Sequence, residues 1–422
     1  MKDQKINDNV KSYLENALAY SRYSRHCEKV DDLDFLYAGV SRVIGDHKSG
    51  RSFLQSLLDD NQQEDIARAT YFGSLHSTRR RDMASECETH LRRHLELEMK
   101  EMGRDHLAKF KELDGYDIYA YDGHFHAHAC HAMKDDKDRH RPVGGIYALD
   151  LRTGLIQRVV TTDFDTKKTN EIRAFRDTFS PKATKGPRKK TIAVVDKAFI
   201  DRNYWDRCRK MKNNGMYFIS IMKEGTKIQT EEARDFDKNH AFNCGIISDS
   251  KISLSAGGEF RKIVYNDPET GVERIFLTTV FHVQPGLIAH LYLWRWKIEK
   301  VFNTFKSGLG EVKAWANGKI AVDAQASMTA MAYNILLATQ EISLAKEGIE
   351  EDKLQKKWAE NIDRRKKKAK NLGRYLNPLI EIPSKLRQLS LQFIRCFRAN
   401  FNAHALWQDC VPKFRRAMGA YL

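Results

Sequence analysis

The chain has 422 residues, with 72 Lys and Arg against 56 Asp and Glu, a formal charge of +16 and a pI near 9.4. A chain of that length holds about two or three domains around a large core, and its positive balance points to a polyanion, nucleic acid before acidic membrane. The seven Cys are scattered without a CxxC pair, so neither a zinc knuckle nor a disulfide framework is indicated, and a reducing cytoplasm fits.

The N-terminus, Met1 to Lys5, is polar and lacks an apolar signal core. Residues 7 to about 110 read as successive helices. Val10, Tyr13, Leu14, Ala17 and Leu18 recur at helical spacing, and Ser49-Gly50 marks a turn before Phe53, Leu54 and Leu57. Ser77 or Thr78 is an N-cap for a helix through Met83, Leu91, Leu95 and Met99. Arg79, Arg80 and Arg81 oppose the dipole at its start; they read equally as a phosphate site or a solvated charge run.

From Asp117 the period changes. Asp117 to Tyr121 alternates and is rich in β-formers, with the strand ending near Asp122-Gly123. Gly145 to Asp150 and Leu155 to Thr161 are strands joined by a hairpin at Arg152-Thr153-Gly154. Glu171 to Phe179 reads as helix, Thr191 to Val195 as a buried strand, Asn203 to Lys212 as helix and Met216 to Met222 as strand. This order predicts an α/β layered domain. About a hundred residues separate Asp196 from Glu299, too many for a loop, and residues 224–283 read as a β-rich insertion. Its strands are Ile246-Ile247, Lys251 to Leu254, Phe260 to Tyr265 and Arg274 to Val280, with turns at Gly257-Gly258 and Asp267 to Gly271. It contains no Trp, so base stacking there would fall to Phe, Tyr or His.

Ala324 to Ala338 is the most apolar helical stretch. It contains Gln325, Ser327, Thr329 and Asn334 and is too short and polar to span a bilayer, so it is expected in the core. From about Gly348 the chain is helical and basic, with an unbroken cationic run from Arg364 to Lys368 and breaks at Asn377-Pro378 and Ile382-Pro383.

The stretch Tyr292-Leu293-Trp294-Arg295-Trp296-Lys297-Ile298-Glu299, followed by Lys306, contains no Gly or Pro. On a single helix, steps of three, four and seven return to one side, so Tyr292, Arg295, Glu299 and Lys306 form a polar stripe. Leu293, Ile298, Val301 and Phe305 form the packing side. A carboxylate can hold a metal and the cations can hold phosphate; an ordinary Arg295–Glu299 ion pair is the bland alternative.

This pattern resembles the Tyr-Arg-Glu-Lys signature of the insertion-sequence-four family of bacterial transposases, which belong to the DDE group. Tyr119-Ala120-Tyr121-Asp122-Gly123-His124 resembles the family's strand ending in the first catalytic aspartate, and Thr191 to Asp196 the strand ending in the second. The resemblance is strong from about Asp117 to Lys306. It implies an RNase H-like catalytic domain over 113–345, interrupted by the insertion at 224–283. A helical DNA-binding region at 1–112 and a basic helical region at 346–422 flank it. Asp122, Asp196 and Glu299 are then the catalytic and metal-holding carboxylates for Mg²⁺, with Mn²⁺ tolerated. Asp122 bridges two ions, and Asp196 and Glu299 each support one. Two-ion phosphodiester chemistry needs no more protein ligands than these. Tyr292, Arg295 and Lys306 bind or orient the DNA backbone. Trp294 and Trp296 are expected to pack, Trp296 the more firmly.

Asp150 reads as a hairpin residue, Asp201 as a helix cap, and Asp163 and Asp165 as caps or turns. His124, His126, His128 and His131 alternate as zinc ligands can. With the strand ending at Gly123 and no second ligand cluster, they are expected near the active site, touching phosphate or packing, and not as a dedicated zinc site. The leading expectation is a DDE transposase that cuts and joins the double-stranded DNA ends of its element, acting as a homodimer on DNA in the cytoplasm, at the nucleoid, with no membrane partner. The alternatives are a transposase-derived DNA-binding protein without catalysis, a metal-dependent nuclease of the same fold, and, last, a zinc hydrolase.

Overall fold

A computed structural model describes residues 3–45, 47, 49–59, 68–126, 143–161, 171–179, 190–211, 215–255, 257–311, 313–316, 318–346, 351–381 and 389–419. Among the described residues the chain opens with helices α1 (Ile6–Leu18), α2 (Asp32–Gly45), α3 (Gly50–Asp59), α4 (Arg68–Leu75) and α5 (Thr78–Glu101). Ser77 caps α5 by accepting from the Arg80 N–H, as its sequence predicts. The three arginines that follow are not an open anion site. Arg79 donates through both terminal nitrogens to Asp32 at 2.7 Å, and Arg80 lies 3.5 Å from the same buried carboxylate. Asp32 at the start of α2 supplies the compensating charge from within the fold.

The middle of the chain forms β1 (Tyr116–His126), β2 (Val143–Asp150), β3 (Ile156–Thr161), α6 (Glu171–Thr178), β4 (Lys190–Val195), α7 (Arg202–Arg209) and β5 (Met216–Ile221). Then come β6 (Ile228–Ala233), β7 (Ile246–Leu254), β8 (Glu259–Asn266) and β9 (Glu273–Thr278). The nine strands of the described residues join one sheet in the order β3-β2-β1-β4-β5-β9-β8-β7-β6. β1, β4 and β5 run parallel, and the remaining pairings are antiparallel. The β-rich segment therefore continues the main sheet, because β9 hydrogen-bonds β5. Its two expected strands at 246–247 and 251–254 are one strand, β7. β6 was not anticipated: its sequence, Ile-Gln-Thr-Glu-Glu-Ala, is polar and largely exposed, as suits a sheet edge guarded against further pairing.

β1 also runs past Gly123 to His126. Its partners there are Gly145 opposite His124 and Gly144 opposite Phe125. A Cβ on Gly144 would stand 2.1 Å from the His124 carbonyl oxygen, so the close approach requires glycine.

The chain ends with α8 (Pro285–Trp294), α9 (Trp296–Gly308), α10 (Lys319–Lys346), α11 (Glu351–Asn371), α12 (Pro378–Glu381), α13 (Leu391–Asn402) and α14 (Trp407–Gly419). α10 is the core helix expected from its apolar run, buried from 321 to 344. It packs against α2, α5, α14 and the β2–β3 edge. Its polar groups are used: Asn334 accepts from the Ile156 N–H at 2.9 Å and donates to the Ile156 carbonyl at 2.7 Å, pairing the outer edge of β3 as a strand would. No helix among the described residues is long and apolar enough to cross a membrane.

Two apolar clusters lie on the two faces of the sheet. Ile118, Ala120, Ile192, Val194 and Ile219 face the larger one, with α8, α9, α10 and the N-terminal helices. Tyr121, Ala193, Val195 and Phe218 face the smaller one, with α6 and α7. This two-residue alternation decides which side each carboxylate occupies.

Candidate active site

In the parallel pair β1–β4, Tyr121 lies opposite Val195, so the next residues along the two neighbouring strands are Asp122 and Asp196. Strand alternation puts Asp122 on the side of Ile118 and Ala120, and Asp196, still extended at φ −73° and ψ 162°, on the side of Ile192 and Val194. α9 packs on that same side, over β1 and β2, and carries Glu299 in its first turn. Main-chain N–H groups hold one oxygen of each aspartate. Gly123 donates to Asp122 Oδ1 at 2.9 Å, and Lys197 donates to Asp196 Oδ1 at 2.7 Å.

Arg295 joins two of the three carboxylates. One terminal nitrogen donates to Asp122 Oδ2 at 3.0 Å and the other to Glu299 Oε1 at 3.0 Å. The guanidinium is buried, while Asp122 and Glu299 retain side-chain exposures of 22% and 35%. Burial pushes the Asp122 carboxyl above its ordinary value. Arg295 and the Gly123 N–H pull it back, and the negative charges of Glu299 and Asp196 push it up again. Asp122 thus senses both other carboxylates.

The expected single polar stripe is interrupted. α8 ends at Trp294 and α9 starts at Trp296, with short-range bonds from the Arg295 N–H to the Tyr292 carbonyl and from the Ile298 N–H to the Arg295 carbonyl, both 3.0 Å. These three-residue spacings tighten the chain at Arg295. Tyr292 is buried, its ring 5.3 Å from Phe276, and Arg295 lies over that ring at 5.8 Å. Burial raises the Tyr292 phenol, with Arg295 opposing and Asp196 adding to the rise. Lys306 is exposed on α9, seven residues beyond Glu299 and so on its side of the helix. The tryptophans exchange their expected places: Trp294 packs on the core, while Trp296 is 54% exposed and lies under the Arg295 guanidinium at 5.2 Å. Lys297, unremarked in the sequence, sits 3.6 Å above the Trp294 ring, its pKa lowered to about 7 by burial and then by Lys300.

Two of the decoy aspartates, Asp150 and Asp201, sit where their contexts predict. Asp150 accepts from the Arg152 N–H at 2.8 Å and from the Thr153 hydroxyl at 2.7 Å within the hairpin, and Asp201 caps α7 through the Tyr204 N–H. Asp163, Asp165, His128 and His131 lie outside the described residues. His124 and His126 are buried on the Asp122 side of β1, so they do not offer a phosphate contact. They face Glu311, which sequence reading missed because only the tertiary fold brings that loop residue to β1.

No curated protein matches the chain. Among solved structures, a cryo-EM structure of the piggyBac transposase synaptic complex with hairpin DNA is similar at 9% identity and a TM-score of 0.33, over 95% of this chain and 82% of that one. The family model described as the transposase DDE domain matches residues 113–335, a span that includes all three carboxylates and exceeds half of the chain. The chain belongs to the DDE transposase family.

Proposed function

We propose that this transposase cuts the double-stranded DNA ends of its own insertion sequence and joins them to a target, with Asp122, Asp196 and Glu299 as the catalytic carboxylates. The observation that carries the reading is the convergence of one carboxylate from each of two adjacent parallel strands and one from α9, with Arg295 spanning two of them. The strand order β3-β2-β1-β4-β5, with only β2 antiparallel to its neighbours in that set, supports assigning this half of the sheet to an RNase H-like domain. On that assignment 113–345 is the catalytic domain, and β6 to β9 extend it. The Tyr-Arg-Glu-Lys pattern supports placement in the insertion-sequence-four group.

The donor set fits a hard divalent ion. Three carboxylates against one guanidinium leave an excess of negative charge, and the ligands are oxygens of the kind Mg²⁺ takes together with water and phosphate. Asp122, Asp196 and Glu299 would hold Mg²⁺ or Mn²⁺, which would activate the attacking hydroxyl and stabilise the departing oxygen. The protein's own residues supply the frame. The main-chain N–H groups of Gly123 and Lys197 fix the two aspartates, and Arg295 sets the spacing between β1 and α9. In hydrolysis, water adds to the scissile phosphorus as the 3′ oxygen leaves. In joining, that 3′ hydroxyl attacks a target phosphate and displaces its 3′ oxygen.

Lys306 and the exposed run Arg364 to Lys368 on α11 provide positive surface for the DNA backbone. Arg365 is also tied to Glu269 in the β8–β9 turn by a bond of 3.0 Å, which anchors α11 to the sheet extension. Two element ends brought together would call for a homodimer on DNA, acting in the cytoplasm. A binding and cleavage comparison tests the assignment. Asp196→Asn and Glu299→Gln should hold end DNA as the parent does and cleave none of it. Cleavage by either variant at the parental rate would remove the carboxylates from the mechanism.

A further inference from the structure

We propose that His124, His126 and Glu311 form a second metal site, for a borderline divalent ion such as zinc, distinct from the Asp122–Asp196–Glu299 cluster. His124 and His126 project from the same face of β1, and Glu311 follows α9 in the chain. All three are buried, at 3%, 6% and 4% exposure. Their ligand atoms lie within 4.8 Å of one another. His124 Nε2 is 3.6 Å from Glu311 Oε2, and His126 Nε2 is 3.5 Å from Glu311 Oε1.

Those separations are too long for good hydrogen bonds. His124 Nε2 and Glu311 Oε2 have no hydrogen-bond partner although both are shut off from solvent. A buried nitrogen and a buried carboxylate oxygen left this way cost stability unless something stands between them. Ligands around a tetrahedral ion with bonds of about 2.0–2.1 Å are roughly 3.3 Å apart, close to the two histidine–glutamate separations, so a small inward movement of the wider pair would complete the site. Two imidazoles and one carboxylate are a zinc-type donor set and a poor one for Mg²⁺.

The surroundings hold the three groups in place. The His124 ring stacks on Phe302 at 4.8 Å with an interplanar angle of 25°, and Phe305 meets it edge-on. The Thr329 hydroxyl on α10 donates to Glu311 Oε1 at 3.1 Å, and the Glu311 N–H donates to the Phe305 carbonyl at 3.0 Å. An ion here would tie β1, two and four residues past Asp122, to the segment leaving α9. It would fix the helix that carries Glu299 against the strand that carries Asp122. Its role is positioning, through α9.

The test uses the full chain, stripped with a chelator and titrated with Zn²⁺ and with Co²⁺. The parent should take up one ion at about micromolar affinity or tighter, with the visible absorption of four-coordinate Co²⁺. An Asp196→Asn/Glu299→Gln double variant should keep that uptake, which separates this site from the catalytic carboxylates. His126→Gln and Glu311→Gln should each weaken it by about 10- to 100-fold or more, and stripping the parent should speed amide exchange along α9. Should either variant fail to fold, ¹⁵N-histidine spectra of the parent decide: Zn²⁺ should shift the Nε2 signals of His124 and His126. No uptake by folded parent, uptake lost in the double variant, or imidazole signals unmoved by Zn²⁺ would each overturn the site and leave a buried histidine–glutamate ion network.

Discussion

Replacing Arg295 by Ala removes two charge-assisted hydrogen bonds at once, to Asp122 and to Glu299. Breaking a fully buried ion pair costs about 3–5 kcal/mol, whereas an exposed pair is worth about 0–1 kcal/mol. Here the cation is buried and its partners are partly exposed, which places the loss between those limits, at about 2 kcal/mol. For a chain of 422 residues that lowers the Tm by about 2 °C. The sign of the Mg²⁺ effect is the discriminating feature. With Arg295 gone, the carboxylates lose the cation that, among the described residues, joins two of them, so they should bind Mg²⁺ more tightly. Saturating Mg²⁺ should then return roughly 2–3 kcal/mol, the amount expected at about 100 times the dissociation constant. Thermal melts of parent and Arg295→Ala, each with EDTA and with Mg²⁺, measure both effects. A variant as stable as the parent in EDTA, or one gaining no more than the parent from Mg²⁺, would refute the view that Arg295 neutralises a cation site.

Other outcomes follow from the same geometry. Trp296→Ala should leave the Tm nearly unchanged, because the ring is mostly exposed, yet weaken end-DNA binding by about 1–3 kcal/mol if the ring stacks on a base; unaltered affinity in a filter-binding titration would exclude that contact. Arg261 is buried and donates to Asp249 at 2.8 and 2.6 Å and to the carbonyls of Val280 and Val283, so Arg261→Ala should destabilise β7 to β9 by about 3–5 kcal/mol in urea unfolding, and a loss below about 1 kcal/mol would contradict it. Burial raises Glu88 to about 7 against the pull of Arg158, and raises Asp150 to about 6 against its hydrogen bonds to Arg152 and Thr153. Both folded values lie above the unfolded ones, so the stability they confer is complete below about pH 4 and is lost as pH rises through 6 and 7, roughly 3 kcal/mol from each. Glu88→Gln should flatten the decline between about pH 4.5 and 7, and an unaltered slope would be inconsistent with that protonation. DNA affinity should fall steeply between about 50 and 200 mM salt; a flat response would argue against backbone contacts.

What could be read in the sequence was local. Ser77 and Asp201 cap helices, Gly154 closes a hairpin at φ +78°, and Thr191 to Val195 forms a central strand, because each is decided by neighbours a few residues away. The three carboxylates were legible because two end apolar runs and the third sits in a recognisable helical pattern. The break at Arg295 was not, since every residue there is compatible with helix and the tightening accompanies a guanidinium drawn to Asp122, 173 positions away. Tyr292 lies buried beneath that guanidinium. The extension of β1 to His126 depends on Gly144 and Gly145 across the sheet, and Glu311 meets that strand only through the packing of α9 and α10. Likewise, nothing local distinguishes a separate β insertion from strands that join β5.

The most direct test of the central claim is a reaction on a plasmid carrying the element's own flanking ends, run with Mg²⁺ or EDTA beside Asp122→Asn and Glu299→Gln. The parent with Mg²⁺ should give cleaved and joined DNA at the ends, and neither EDTA nor either variant should give any. Joined products formed by a carboxylate variant, or by the parent in EDTA, would contradict the claim. Cleavage without joining would mark a nuclease, and binding without cleavage by the parent a DNA-binding derivative.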